Sequence, residues 1–327
     1  DLSSLTSSYL YGGSSSSFYS DTNSVYQPQI QYQGVNSITT LEAENMLDNI
    51  IASIENEGTS LRYDKNLYLS FRNAILGANL KSYGIINSEL DQNCVPYVYF
   101  TNEIDDDGIY HPFMVIASYS ITEKPNGLID IPISSLDTSS NVSRNAVLSN
   151  NLIKIPLKNY GNISSLEDND LSGTGKNNLR DNINSSDSYS VYNYTTTSTI
   201  GIAIDGVLIS PVLNENLLPI QESGEISNIG VKVNSDLQLS YVADSYSANN
   251  NGLNLYNDSD YVSESHPPLI GFSYDGIALY GQYNSNYSDM SGYDVSLDDY
   301  GGHDHDNYGY HYHAHTANSI DEDLSTN

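Results

Sequence analysis

The chain has 327 residues, with 11 Lys plus Arg against 41 Asp plus Glu and a formal net charge of −30 at pH 7. That balance argues against nucleic acid and anionic membrane surfaces as partners, since both need basic side chains at the contact. Small cations, a saline medium or a basic partner remain as counter-charges.

No basic residue precedes Arg62 and none follows Lys232, so both ends are purely anionic. There are 29 Tyr against 5 Phe and no Trp. Tyrosine couples apolar area to a hydroxyl that needs a partner, which suits half-buried strands and protein–protein contacts. With abundant Ser, Asn and Thr, the composition reads as an extracellular or surface-exposed β protein. Cys94 is the single cysteine, so no intrachain disulfide forms. No apolar run is long enough to span a bilayer. The first residue is Asp1, as in a processed or trimmed chain.

Residues 1–37 are rich in Ser, Tyr and Gly. They read as an arm that packs on a neighbouring subunit through Tyr9, Tyr11, Tyr19, Tyr26 and Tyr32, or on its own domain. An α+β domain is expected over 38–194. Thr39–Glu57 has the pattern of a helix: Thr39 and Glu42 make a capping box, and Ala43, Met46, Leu47, Ile50, Ile51 and Ile54 form its apolar stripe. Gly58 is placed to stop it. A second helix is expected at Leu67–Leu80 behind Asp64, with Leu67, Phe71, Ile75 and Ala78 on one face. Strands are expected at Pro96–Thr101, Phe113–Ile121, Leu128–Ile133 and Leu152–Leu157. Residues 158–195 read as a long loop.

Two acidic loops space oxygen ligands at positions 1, 3 and 5 before a glycine, as calcium loops begin. One is Glu103, Asp105 and Asp107 before Gly108, and the other is Asp168, Asp170 and Ser172 before Gly173. Position 12 is Met114 or Leu179 instead of glutamate, so a solvated turn competes with calcium at both.

The sequence then repeats itself. Ile200-Gly-Ile-Ala-Ile-Asp205-Gly206-Val-Leu-Ile returns seventy residues later as Ile270-Gly-Phe-Ser-Tyr-Asp275-Gly276-Ile-Ala-Leu. Asp-Gly between apolar runs signals a hairpin. Residues 195–320 are therefore expected to form a β domain of two related hairpin units, arranged around a pseudo-twofold axis, with an acidic tail at 321–327. The fold class expected for the whole is mainly β with a small helical N-terminal portion, α+β.

The last unit ends in histidines: His303 and His305, then His311, His313 and His315. Alternation along a strand puts the last three on one face and Tyr310 and Tyr312 on the other. Pairing 305 with 311 places all five imidazoles on one face, whereas pairing 305 with 310 sets the two groups opposite. Converging imidazoles with Asp299 or Asp304, and His266 reaching in from the neighbouring hairpin, suit a copper or zinc ion, with nickel also compatible. A purely structural network of His and Tyr hydrogen bonds is the competing reading. Asp205 and Asp275 have a sufficient role as turn residues, and His111 reads as a lone surface or core histidine.

The segments His266-Pro-Pro-Leu-Ile-Gly-Phe-Ser-Tyr-Asp-Gly-Ile-Ala-Leu-Tyr-Gly281, Leu297-Asp-Asp-Tyr-Gly-Gly-His303 and Gly309-Tyr-His-Tyr-His313 resemble the YHYH-domain family. The resemblance covers about 120–130 residues. It implies a secreted or surface protein of the kind found in bacteria and some marine viruses. Many members carry a further His-rich segment after the first hairpin, and here Ser245–Tyr261 has no histidine. Together these readings give an extracellular or virion-surface structural protein that assembles with copies of itself and carries a metal-binding domain. A secreted metalloenzyme or metal-scavenging protein is the alternative, although no nucleophile–base set marks an enzyme.

Overall fold

The computed structural model describes residues 28–86, 97–118, 120, 129–130, 144–145, 151–160, 199–211, 230–233, 238–248, 255–298 and 301–315. Tyr9, Tyr11, Tyr19 and Tyr26 of the expected arm, Cys94, and the tail at 321–327 lie outside these residues.

Helix α1 spans Pro28–Glu55, so it begins eleven residues before Thr39, and Thr39 is interior to the helix instead of capping it. Pro28 supplies a φ already suited to the first turn. Once the amphipathic stretch is helical, each added residue avoids the cost of a new nucleus. Residues 28–37, including Tyr32, are thus helical. Ala43, Leu47, Ile50 and Ile54 are buried, whereas Met46 is exposed, which leaves a narrower apolar stripe than the sequence suggests. Gly58 ends the segment at φ +76°, where the Gly58 and Thr59 N–H groups close on the Glu55 and Ile54 carbonyls. Helix α2, Lys65–Ile86, starts behind Asp64, whose carboxylate accepts from the Asn66 N–H at 2.8 Å.

Strands β1 (Tyr97–Ile104), β2 (Tyr110–Ser118) and β5 (Asn151–Pro156) form an antiparallel sheet with β2 in the middle. A separate short pair joins β3 (Ile129–Asp130) and β4 (Arg144–Asn145), the first being all that is seen of the strand expected at 128–133. Of the loop expected over 158–195, only residues 158–160 are described, and they are tied to the segment after α1. Lys158 bridges to Leu61, and the Asn159 N–H donates to the Ser60 carbonyl.

The C-terminal half is an eight-stranded sheet. Its strands are β6 (Gly201–Ala203), β7 (Leu208–Ile209), β8 (Val231–Val233), β9 (Leu239–Tyr241), β12 (Leu269–Ser273), β13 (Ala278–Tyr280), β14 (Gly302–His303) and β15 (His311–His313). A two-stranded ribbon, β10 (Tyr246–Ser247) with β11 (Tyr256–Asn257), sits apart from it. Across the sheet the order is β14-β15-β13-β12-β6-β7-β9-β8. Read from either edge, the order passes through corresponding strands.

The symmetry holds bond by bond. Gly271 pairs with Ala203, Phe272 with Ile202, and Ser273 with Gly201. The Ile204 N–H donates to the Ile270 carbonyl and the Tyr274 N–H to the Ile200 carbonyl, both at 2.9 Å. The repeat also reaches beyond the hairpins. β7 pairs in parallel with β9, as β13 does with β15, setting Ile209 beside Tyr241 and Leu279 beside Tyr312. β8 pairs antiparallel with β9, as β14 does with β15. Gly230 and Gly301 precede the outer strands at φ +78° and +76° and accept from the Val242 and His313 N–H groups.

One core joins the halves. Phe272 packs edge-on to Phe71 at 4.9 Å between ring centres and stacks with Tyr68 at 5.6 Å. Ile202, Leu208 and Ala278 share that core with Leu47, Phe100, Met114 and Ile155.

The two Ile-Gly steps explain the central pairing. A Cβ on Gly201 would lie 2.6 Å from the Phe272 carbonyl oxygen, and one on Gly271 would lie 2.6 Å from the Ile202 carbonyl oxygen. Gly201→Ala and Gly271→Ala should therefore each destabilise the protein, by about 1–3 kcal/mol as for an overpacked core. Urea denaturation of both variants checks this, and the two losses should be similar because the two clashes are symmetry-related.

Candidate metal centre

Each unit carries the same polar latch. Asp205 accepts the Val207 N–H on Oδ1 at 3.1 Å and the Tyr241 hydroxyl on Oδ2 at 2.7 Å. Asp275 accepts the Ile277 N–H at 2.9 Å and the Tyr312 hydroxyl at 3.0 Å in the same way. Both aspartates are buried. They are turn residues, as their Asp-Gly context suggests, and they also fix the facing of the last strand. With Tyr312 tied to Asp275 on one side of β15, alternation turns His311 and His313 to the other. Tyr310 donates to Asp298 at 2.8 Å.

The register across β14–β15 sets His303 opposite His311 and Gly302 opposite Tyr312. This has the parity of the 305–311 pairing considered from sequence, moved by two residues, and it brings the imidazoles together. The rings of His303, His305, His311 and His313 lie mostly 4.6–4.9 Å apart between centres. His266 joins from the start of the second unit, 4.9–5.2 Å from His305, His311 and His313. One ring nitrogen from each of His266, His305, His311 and His313 lies within 4.8 Å of the others. The five side chains are buried, with relative exposures of 5, 5, 8, 0 and 2 % for His266, His303, His305, His311 and His313.

The hydrogen bonds orient these rings. Nδ1 of His266 faces the Pro267 carbonyl at 3.0 Å, that of His303 the Val295 carbonyl at 2.8 Å, that of His311 the Gly309 carbonyl at 2.6 Å and that of His313 the Gly281 carbonyl at 2.7 Å. A carbonyl can only accept, so the proton sits on Nδ1 and each Nε2 presents a lone pair. His305 turns Nδ1 to the Asp306 carboxylate at 3.2 Å, with Ser291 Oγ also at 3.2 Å. This is the arrangement by which outer partners hold histidine ligands on a metal.

The inner side is correspondingly short of protons. Nε2 of His266 and Nε2 of His311 stand 3.2 Å apart, two lone pairs face to face. Nε2 of His313 is buried with no hydrogen-bond partner. Protonation would relieve this, but burial opposes the added charge and neighbouring imidazoles oppose it further. His266 and His311 are pushed down to about 3, His303 is lowered, and His313 is held well below the usual imidazole range. His266, His303, His311 and His313 therefore present neutral nitrogen donors to the pocket. Tyr283 stands beside it, its oxygen 3.3 Å from Nε2 of His305, while its own proton goes to the Ser291 carbonyl at 2.8 Å.

Other residues singled out in the sequence go elsewhere. His315 shares the parity of His311 and His313, but β15 ends at His313. His315 is exposed, with Nδ1 on the His313 carbonyl. Asp304 is exposed, and Asp299 lies outside the described residues, as do Asp168, Asp170 and Ser172. Asp105 spends Oδ1 on the Ile109 and Asp107 N–H groups of the β1–β2 turn and Oδ2 on His111. Glu103 pairs with Lys154. Glu103 thus belongs to β1 and Asp105 and Asp107 to the turn after it, and the three are not gathered as a ligand set. Among the described residues, only the histidine group brings three or more candidate ligands together. His111 stands apart from the histidine group as a buried core histidine, with Nδ1 meeting the Tyr160 hydroxyl at 2.7 Å and Nε2 meeting Asp105 at 2.9 Å. Sequence reasoning passed over Ser291, Val295 and Asp306, which back the rings from irregular segments without periodicity.

Comparison of the chain with protein-family models, with curated proteins and with solved structures gives no match in any of the three.

The depressed histidines make metal-free stability depend on pH. Their folded-state values lie below the ordinary imidazole value of 6.5, so their neutral forms contribute fully above 6.5 and the contribution is lost as pH falls toward about 3. Each such histidine costs up to about 1.4 kcal/mol per pH unit in that window. Urea denaturation of metal-free protein at pH 7.5 and pH 5 should show a fall larger than one histidine can produce.

Proposed function

We propose that this chain is a metal-binding protein whose C-terminal β unit holds one copper or zinc ion on buried imidazoles. The observation that carries this reading is the inward set of Nε2 lone pairs, fixed by backbone carbonyls and left without protons. Imidazoles suit copper and zinc, whereas calcium prefers oxygen ligands.

The first unit supports the reading as an internal control. Tyr241 pairs with Ile209 and Val231 as Tyr312 pairs with Leu279 and Gly302, so Ser240 stands at the place of His311. Val242 stands where His313 stands, and Lys232 where His303 stands. The same strand arrangement therefore forms without the histidines. Their convergence in the second unit is not a requirement of the fold, which weakens the purely structural alternative.

Elemental analysis after dialysis against copper or zinc tests the reading, with one ion per chain expected. Replacing His311→Ser and His313→Val installs the residues that the first unit carries at those positions, and should abolish stoichiometric binding while the protein stays folded. His315→Ala and Asp304→Ala should leave binding intact. Free metal at a thousand times its dissociation constant should raise stability by about 4 kcal/mol. Uptake unchanged by the paired His311 and His313 replacements would remove this function.

The assembling, extracellular role is a separate proposal supported by the tyrosine-rich composition of residues 1–27. Electron micrographs of concentrated protein should show polymers or regular oligomers, and discrete monomers would remove that role.

A further inference from the structure

We propose that the ion held at this centre is copper, and that it exchanges single electrons with a cationic carrier docking over Tyr308. The inference rests on the metal-binding reading above and names what the site would do.

The donor set favours a redox ion. The converging donors are neutral nitrogens, with no carboxylate to tie the centre to its higher charge, so a singly charged ion is held on the same atoms as a doubly charged one. Four of the five rings are braced by backbone carbonyls at 267, 295, 309 and 281. They cannot rearrange freely when the oxidation state changes. Burial of the rings keeps water from entering and leaving the coordination shell. No bond need form or break. Copper(II) accepts one electron and becomes copper(I), and no proton moves because each imidazole keeps its Nδ1 proton on its acceptor.

Tyr308 supplies the route outward. It lies in the turn between His305 and His311, its N–H donating to the His305 carbonyl at 3.2 Å. Its ring stacks on His266 at 4.2 Å between centres and 22° between planes, and lies 5.3 Å from His305 and 6.1 Å from His311. It is half-buried, and its hydroxyl meets Ser265 Oγ, an exposed residue, at 2.9 Å. One aromatic ring thus touches three donors and also reaches the surface. Exposed Glu264, Asp304 and Asp306 lie next in sequence to Ser265 or flank His305. That acidic rim would draw a cationic carrier and repel an anionic one.

The test uses the full copper-loaded chain and hexaammineruthenium(II) as a cationic one-electron donor, which is oxidised to ruthenium(III). Stopped-flow reduction should consume one electron per copper and slow as salt is added. Tyr308→Phe keeps the ring and should keep the rate. Tyr308→Leu keeps the cover but removes the ring, and should slow reduction several-fold. Copper affinity, measured by competition with a chelator, should be equal in all three proteins. The proposal is overturned if the leucine variant is as fast as the parent, if bound copper is not reduced, if reduction releases the copper, or if only zinc binds. A chain that takes up neither metal removes the metal-binding reading as well, so the two failures are distinguishable.

Discussion

Two symmetry-related glycines, one on each side of the Ile202–Phe272 pair, govern the C-terminal half. At Gly201 and Gly271 the opposite carbonyl occupies the space a side chain would need. Only hydrogen atoms can stand there, so β6 and β12 approach closely enough to pair. That contact welds two four-stranded units into one continuous sheet and removes one exposed edge from each. It also buries Ile202 and Phe272 side by side against the helices. The histidines stand three strands from the axis, yet their position follows from it. The unit repeats outward from β12 through β13 to β15, and the Asp275–Tyr312 latch sets the facing of the last strand.

Duplication separates what the fold needs from what the site needs. Asp-Gly turns, latch tyrosines and the glycines before the outer strands occur in both units, so they belong to the architecture. His303, His311 and His313 occur in one unit only, as do His266 and His305. A buried group of imidazoles loses hydration and gains little from neighbouring rings that are also unprotonated. Selection for folding alone would accept the serine and valine of the first unit. The architecture by itself therefore does not account for the cluster.

Much of this was legible in the sequence because it is local. The paired Ile-Gly and Asp-Gly steps, the helix over the forties and fifties, and the alternation of His311 and His313 are properties of neighbouring residues. What escaped is set by tertiary contact. The repeat extends to β8–β9 and β14–β15, but register, not identity, carries it there, with Gly230 and Gly301 and Tyr241 and Tyr312 as the matching residues. His315 fits the alternation and still falls outside the site, because β15 stops at His313. Asp105 has calcium-like spacing but is consumed by its own turn and by His111. The carbonyls that orient the rings come from Val295, Gly309 and Gly281, whose contribution does not depend on side-chain type and so leaves no trace in residue identity.

Tyr63 gives the molecule a mechanical property that neither half has alone. Its hydroxyl accepts the Ala278 N–H at 3.0 Å and donates to the Tyr310 carbonyl at 2.5 Å. It stands as a rung between β13 and β15, in a place where main chain would otherwise meet main chain. A side chain from the helical half has thus become part of the hydrogen-bond ladder that carries His311 and His313. Pulling the halves apart would open that ladder and leave a buried donor and a buried acceptor unsatisfied. The sheet and the helices are therefore joined through main-chain hydrogen bonds, and the strand that carries His311, 248 residues along the chain from Tyr63, is held in part from the other half of the molecule.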